Sequence, residues 1–573
     1  MKQTGVLLTP LKTNISAYKS VFNNPNIFRD YKNTIIIIVI GVSINMILTS
    51  LTAYVLSRKN LMFSGAVTMF IMFTMFFSGR GDTEKKGAEI TLNGNDIYPV
   101  KCEDTLTVWT NLDPRLDGKV ENFGDTPLAK ELERQTGIKV QYIHPQAGQE
   151  AEQFNIMLAS DELPDIVVYN WGSYSGGAET AINEEYIYNL NDIIKNYVPA
   201  LTALLKEKSD VDKKIKTDDG NYFAFPFVRG KDWMTCGQGL VLRKDWLDKL
   251  GLEEPKTIDE LEEVLRGFKK LGATAPLVLS PSQVNAIVYA YCSTINFHMN
   301  DGKVVYGPST KEYKDAIEKM AAWYKEGLID NNFVSVDSKY IQSRMLNGNA
   351  GAFYGYVVSG IGALLDAKPD DEFDLVAVAQ PTLNGGKPEF SYKEDDVLPA
   401  CSAAITKNCK NPELAARFLD FGFTDAGHML YNFGIEGESY EMKDGKPVFT
   451  DLIKNNPDGL TFAQASVLYT KGAYSGTFVH DPEYVNQSLT YPDQQKHAYD
   501  IWSDTNMDKH LLPPLTLKSE QLDETSEYLS NIGTYVSEKQ TAFITGKEDI
   551  NASYDEFLKQ LDEYQLPKVI KYY

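Results

Sequence analysis

A chain of 573 residues, 43% hydrophobic and 23% charged, can fill more than one hydrophobic core and has the composition of a folded protein rather than a disordered one. Its formal charge of -22, from 56 basic and 78 acidic residues, repels phosphate backbones and argues against nucleic acid as a partner. Five cysteines without a CxxC pair imply no disulfide framework or thiolate metal site, and six dispersed histidines lack the usual zinc spacings, so neither metal nor cofactor is expected.

The chain opens with a tail, residues 1–33, followed by two uncharged apolar runs at 34–56 and 61–79. At about 23 and about 19 residues, each is long enough to cross a hydrocarbon core as a helix. Together, as residues 34–80, they read as a transmembrane hairpin. The turn Ser57-Arg58-Lys59-Asn60 carries two positive charges that favour the cytoplasmic side and would export everything downstream. The tail carries Lys2, Lys12, Lys19, Arg29 and Lys32, so charge counting alone leaves the orientation open. The stretch NPNIFRDYKNTIIIIVIGVSINMILTSLTAYVLSRKNLMF, followed by FTMFFSG, resembles the early membrane segments of carbohydrate ABC permeases, which implies a cytoplasmic turn. Only a fragment of such a permease is present, so no translocation pore is expected. A second reading makes Arg58-Lys59 and the following apolar run a signal peptide. Arg80 stands where a lipobox cysteine would follow Phe77-Ser78-Gly79, and an uncleaved anchor is therefore expected. A joining of two neighbouring transporter genes fits the same letters.

Residues 81–104 mix glycines with charges of both signs and read as a linker. After it, LTVWT (106–110) suits a buried strand, and Thr126-Pro127 supplies a cap and first-turn proline for a helix stopped by Gly137. IKVQYI (138–143) and DIVVY (165–169) are further strands, with a helix at 149–159 between them. Strands and helices alternating at this spacing predict a parallel sheet covered by helices. The same grammar restarts at Leu240, where GLVLRKDWLDKLGL runs from strand into helix and Thr257-Ile258-Asp259-Glu260 forms a capping box. Thr310 with Gly327, and Asn411-Pro412, bracket or begin later helices.

The motifs LPDIVVYNW (163–171), DDGNYFAFPF (218–227), LRKDWLDKLGLEEPKTIDELEEVL (242–265), WYKEGLIDNNF (323–333), NCKNPELAARFLDFGFTDAG (408–427) and NFGIEGESYEMKDGKPVFTDLIKNNPDG (432–459) stand in one order. Together they resemble family 1 extracellular solute-binding proteins of carbohydrate ABC transporters, in the oligosaccharide-associated lipoprotein branch. The resemblance implies an α/β, two-lobed periplasmic-binding-protein-like fold, each lobe a sheet flanked by helices and joined to the other by several chain crossings. Lobe 1 is expected at 105–237 and 400–476, and lobe 2 at 238–399 and 477–573. The implied function is capture of an oligosaccharide between the lobes by hinge closure, and delivery to permease subunits, with the binding domain on the extracellular face of the cell membrane.

An oligosaccharide presents hydroxyls and apolar C–H faces, so its site needs aromatic plates and planar polar groups. Near strand ends stand Trp109, Asn111 and Asp113, then Trp171, with Trp233 at the first crossing and Tyr354 and Tyr356 in GAFYGY. Arg243 offers a fork for two hydroxyls or a uronic carboxylate. Glu436 and Tyr440 in GIEGESY are implied by the resemblance to face the cleft. Trp246 and Trp323 sit at helical spacing among apolar neighbours and are read as core. Two alternatives remain: a membrane-anchored glycosidase, for which no motif is visible, and a ligand-sensing ectodomain, for which no signalling domain follows either span.

Overall fold

The computed structural model describes residues 88–93, 96–160, 162–368, 372–472, 476–513, 515, 517 and 519–573. The expected tail, transmembrane hairpin and the first part of the linker lie outside the described residues. Among the described residues, no helix is long and apolar enough to cross a membrane.

Local sequence chemistry starts and stops the elements where expected. Part of the expected linker forms an antiparallel pair of strands at Thr91–Asn93 and Asp96–Lys101; after it, β1 (Thr105–Trp109) buries Leu106, Val108 and Trp109. Helix α1 (Pro127–Thr136) begins where the Thr126 hydroxyl accepts the Ala129 N–H, and ends at Gly137, whose φ of 71° suits a residue without a Cβ. Then come β2 (Lys139–Ile143), β3 (Ile166–Val168), α2 (Ser209–Lys214), β4 (Val228–Arg229) and β5 (Gln238–Arg243), the last buried along its whole length. Helix α3 (Ile258–Lys270) carries the expected capping box between Thr257 and Glu260, and it turns Leu261, Val264, Leu265 and Phe268 inward. Beyond it lie β6 (Leu277–Val278), α4 (Lys311–Glu326), β7 (Ala352–Tyr356), β8 (Leu375–Ala377), β9 (Ala403–Ile405) and α5 (Pro412–Asp420). The chain finishes through β10 (Val479–His480), α6 (Ser519–Ile544), α7 (Ile550–Glu563) and a last short helix at Leu566–Tyr572.

Among the described residues, two four-stranded sheets result, and each defines a lobe. The first has the order β9-β3-β1-β2, with β1, β2 and β3 mutually parallel and the late strand β9 antiparallel at one edge. The second has the order β8-β5-β7-β6, in which β5 runs antiparallel to both neighbours. It is a mixed sheet, although its opening sequence has the same strand-to-helix grammar as the first. Each has its own apolar core. Leu106, Val108, Leu128 and Leu132 pack with Leu414 and Phe418 in the first lobe. In the second, Leu265 and Phe268 pack with Met320 and Trp323, and α6 and α7 add Ile532, Phe543 and Phe557. Another cluster joins Val241, Phe353 and Leu375, on the other face of the second sheet, to Phe433, Tyr440 and Phe449 through Tyr484 and Leu489. Apolar packing therefore carries the 433–465 stretch toward the second sheet.

Among the described residues, three chain crossings run side by side between the lobes. Strand β4 pairs in parallel with β10 and bridges Val397 from its other edge, so one crossing is flanked by the other two. The Val228 N–H donates to the Phe478 carbonyl at 2.9 Å, Arg229 N–H to Asp396 at 2.7 Å, and Gly230 N–H to His480 at 3.0 Å. These bonds tie the crossings together where the two lobes meet.

Candidate functional site in the cleft between the lobes

A cavity of about 840 Å³ opens where the crossings join the two lobes. The first lobe supplies Asn170, Trp171 and Gly172, from the loop at the carboxyl end of β3, and residues 213–218, from the last two positions of α2 and the segment after it. Carboxyl ends of strands are where open α/β sheets leave room for ligand, because the connecting loops diverge there. The crossings supply Asp232, Thr235 and residues 393–397, and the second lobe adds Asp508, Leu511, Leu515 and Tyr573.

The wall is held by ion pairs that bind the crossings to the lobes. Lys214 bonds to Asp395 at 2.6 Å and to Asp396. Burial alone would lower the Lys214 pKa, but the two carboxylates offset it and hold the ammonium above its ordinary range. Burial pushes Asp395 up, whereas Asp396 is drawn down, against its own burial, by the Lys214 ammonium. Lys393 repeats the arrangement, with Asp232 at 2.7 Å and Asp508 at 2.6 Å, and its pKa is likewise raised against burial. A third set runs from the second lobe into the crossings. The Tyr356 and Tyr392 hydroxyls are 3.2 Å apart, Tyr392 donates to Glu394, and Glu394 pairs with the buried Arg229. Beside Arg229, burial depresses His480 to about 3, so it stays neutral. Apolar contact is available as well, since Leu511 and Leu515 remain 39% and 38% exposed.

The expected site residues separate into three groups. Trp171 reaches the cavity wall, yet it is 1% exposed: its indole N–H donates to the Val167 carbonyl and Phe154 packs edge-on at 5.2 Å. Tyr356, at 43% exposed, joins the Tyr392–Glu394 chain, and Trp233 lies at the first crossing, edge-on to Tyr499 at 4.7 Å. Asn111 and Asp113 line a separate small pocket of about 40 Å³ inside the first lobe, where Asp113 caps the next turn and pairs with Arg115 at 2.6 Å.

The remaining five stand elsewhere. Trp109 packs against Phe154 and Tyr169 in the first lobe. Tyr354 points into the second lobe's core, on the buried face of β7. Arg243 is 5% exposed and clamped by Asp245 at 2.7 Å, between the Trp246 and Phe373 rings, so its fork is already filled. Tyr440 is buried against Phe433, and Glu436 is exposed on the preceding turn without lining the cavity. The sequence reading missed the charged wall. Its one visible trace is the run Lys393-Glu394-Asp395-Asp396, which a sequence alone presents as an ordinary solvated stretch.

Residues 124–429 match the bacterial extracellular solute-binding protein family. The lipoprotein LipO of Bacillus subtilis (strain 168) is 27% identical over 74% of this chain and 83% of its own length. The fructooligosaccharide ABC transporter substrate-binding protein FusA of Streptococcus pneumoniae serotype 4 is 23% identical over 83% of this chain and 91% of its own. Among solved structures, alginate-binding protein AlgQ2 without calcium ion superposes with a TM-score of 0.66 at 27% identity, over 82% of this chain and 96% of that one. A separate match of 73 residues, 34% identical, links 13% of this chain to 26% of the polygalacturonan/rhamnogalacturonan transport system permease protein YtcP of B. subtilis. With two α/β lobes, three crossings between them and a family match over more than half its length, this chain belongs to the bacterial extracellular solute-binding protein family.

Proposed function

We propose that the chain captures an oligosaccharide between its lobes and hands it, unaltered, to an ABC permease at the outer face of the cell membrane. The observation that carries this reading is the cavity itself, walled by both lobes and by the crossings about which they would rotate. Its volume falls within the range of about 300–1,000 Å³ typical of small-ligand sites. A ligand touching both walls favours the closed state through contacts that the open state lacks. Leu511, Leu515 and Tyr573 suit the C–H faces of sugar rings, and the carboxylates of the wall accept their hydroxyls. The oligosaccharide named for FusA supports the ligand class. The apolar runs at 34–56 and 61–79 would serve as the anchor, and the short resemblance to a permease protein supports a membrane setting.

The test is a thermal-shift screen of the purified full-length protein against an oligosaccharide panel, with scattering measurements of compaction on the same samples. A sugar at 100 times its Kd should add about 2.7 kcal/mol of apparent stability and shrink the radius of gyration. Stabilisation by peptides and by no sugar would sink the reading. Release of shortened sugars would replace it with the glycosidase.

A further inference from the structure

We infer that the cleft selects neutral oligosaccharides and rejects those bearing uronic carboxylates. The inference rests on the oligosaccharide reading above and narrows it. The cavity wall carries seven carboxylates against four lysines. Three of the lysines are engaged: Lys214 with Asp395 and Asp396, Lys216 with Asp212, and Lys393 with Asp232 and Asp508. Lys213, the fourth, lies on the exposed rim. Arg229, the guanidinium at the crossing, is held by Glu394, and Arg243 is closed off by Asp245 in the core of the second lobe.

Inside the cavity, past Lys213 on the exposed rim, a uronic carboxylate would therefore have to take a lysine from a carboxylate that already holds it, or stand beside a wall with more carboxylates than lysines. Low-dielectric walls concentrate the field of the excess carboxylates in the cleft, and the overall charge of -22 adds to it. A neutral sugar meets the opposite situation. Its hydroxyls donate to carboxylate oxygens, which are acceptors only, and its C–H faces rest on Leu511 and Leu515. Like-charge juxtaposition is a strong device for excluding wrong ligands.

Calorimetric titration of the full-length protein with neutral tri- and tetrasaccharides, and with galacturonate and alginate oligomers of equal length, tests the inference. At low salt the acidic oligomers should bind about 100-fold more weakly than the best neutral one. The gap should narrow in about 1 M salt, where the screening length falls to about 3 Å. Asp508→Lys should raise the acidic-to-neutral affinity ratio by about tenfold. Acidic oligomers that bind as tightly as neutral ones, or tighter, would overturn the selectivity while leaving oligosaccharide capture intact. Failure of every sugar to bind would remove both.

Discussion

Arg243 shows how one side chain can satisfy a sequence expectation and still do something else. A guanidinium after a strand, beside an aspartate, offers a ligand fork and a local ion pair with the same letters. Burial decides between them, and burial comes from the distant Phe373 ring that closes over it. Removing one partner of a buried pair leaves the other charged and unsolvated. Arg243→Ala should therefore lower unfolding stability by about 3–5 kcal/mol in a denaturant titration. A variant of unchanged stability but weakened sugar binding would return Arg243 to the ligand. The tryptophans pose the same ambiguity. Trp109 ends β1 and Trp171 follows β3, and both are drawn onto Phe154, which no local pattern marks as their partner.

Elements were far more legible, because caps and periodicity are local. Thr126, Thr257, Thr310 and Asn411 each accept the backbone N–H that their positions predict. Thr257→Ala should cost about 1 kcal/mol of stability by loss of the cap, with Thr257→Ser close to wild type in the same urea titration. An alanine variant as stable as the wild type would mean that tertiary packing alone holds α3 in place. What stayed hidden at this scale was strand direction. β5 opens a strand-to-helix unit just as β1 does, but its partners arrive more than a hundred residues later and pair antiparallel. The mixed second sheet follows from that long-range pairing, which leaves no mark on residues 238–243.

At the scale of the molecule, the cleft draws on segments from 170 to 573, so no single stretch of sequence displays it. The two-lobed fold was legible from colinear motifs; the charged wall was not, because its long-range ion pairs join residues from 115 positions apart, as in Lys393 and Asp508, to 182, as in Lys214 and Asp396. The crossings are packed tightly enough to test directly. A Cβ on Gly230 would stand 2.4 Å from the His480 carbonyl oxygen, and that oxygen is backbone. Gly230→Ala should force the first and third crossings apart, costing about 1–3 kcal/mol and changing the scattering profile of the unliganded protein. An unaltered profile and stability would show that the crossings yield freely.

The edge strand β9 has a consequence for how the protein is made. The first sheet has its three parallel strands by residue 168, yet its fourth arrives only at residues 403–405. At roughly 5–20 residues per second, a nascent chain waits about 10–50 s for that strand while the whole second sheet is synthesised. During that interval β3 offers an unpaired edge to any neighbouring chain. Biogenesis, more than the finished fold, is where this architecture is exposed, and a holding factor acting before residue 403 emerges would protect it most.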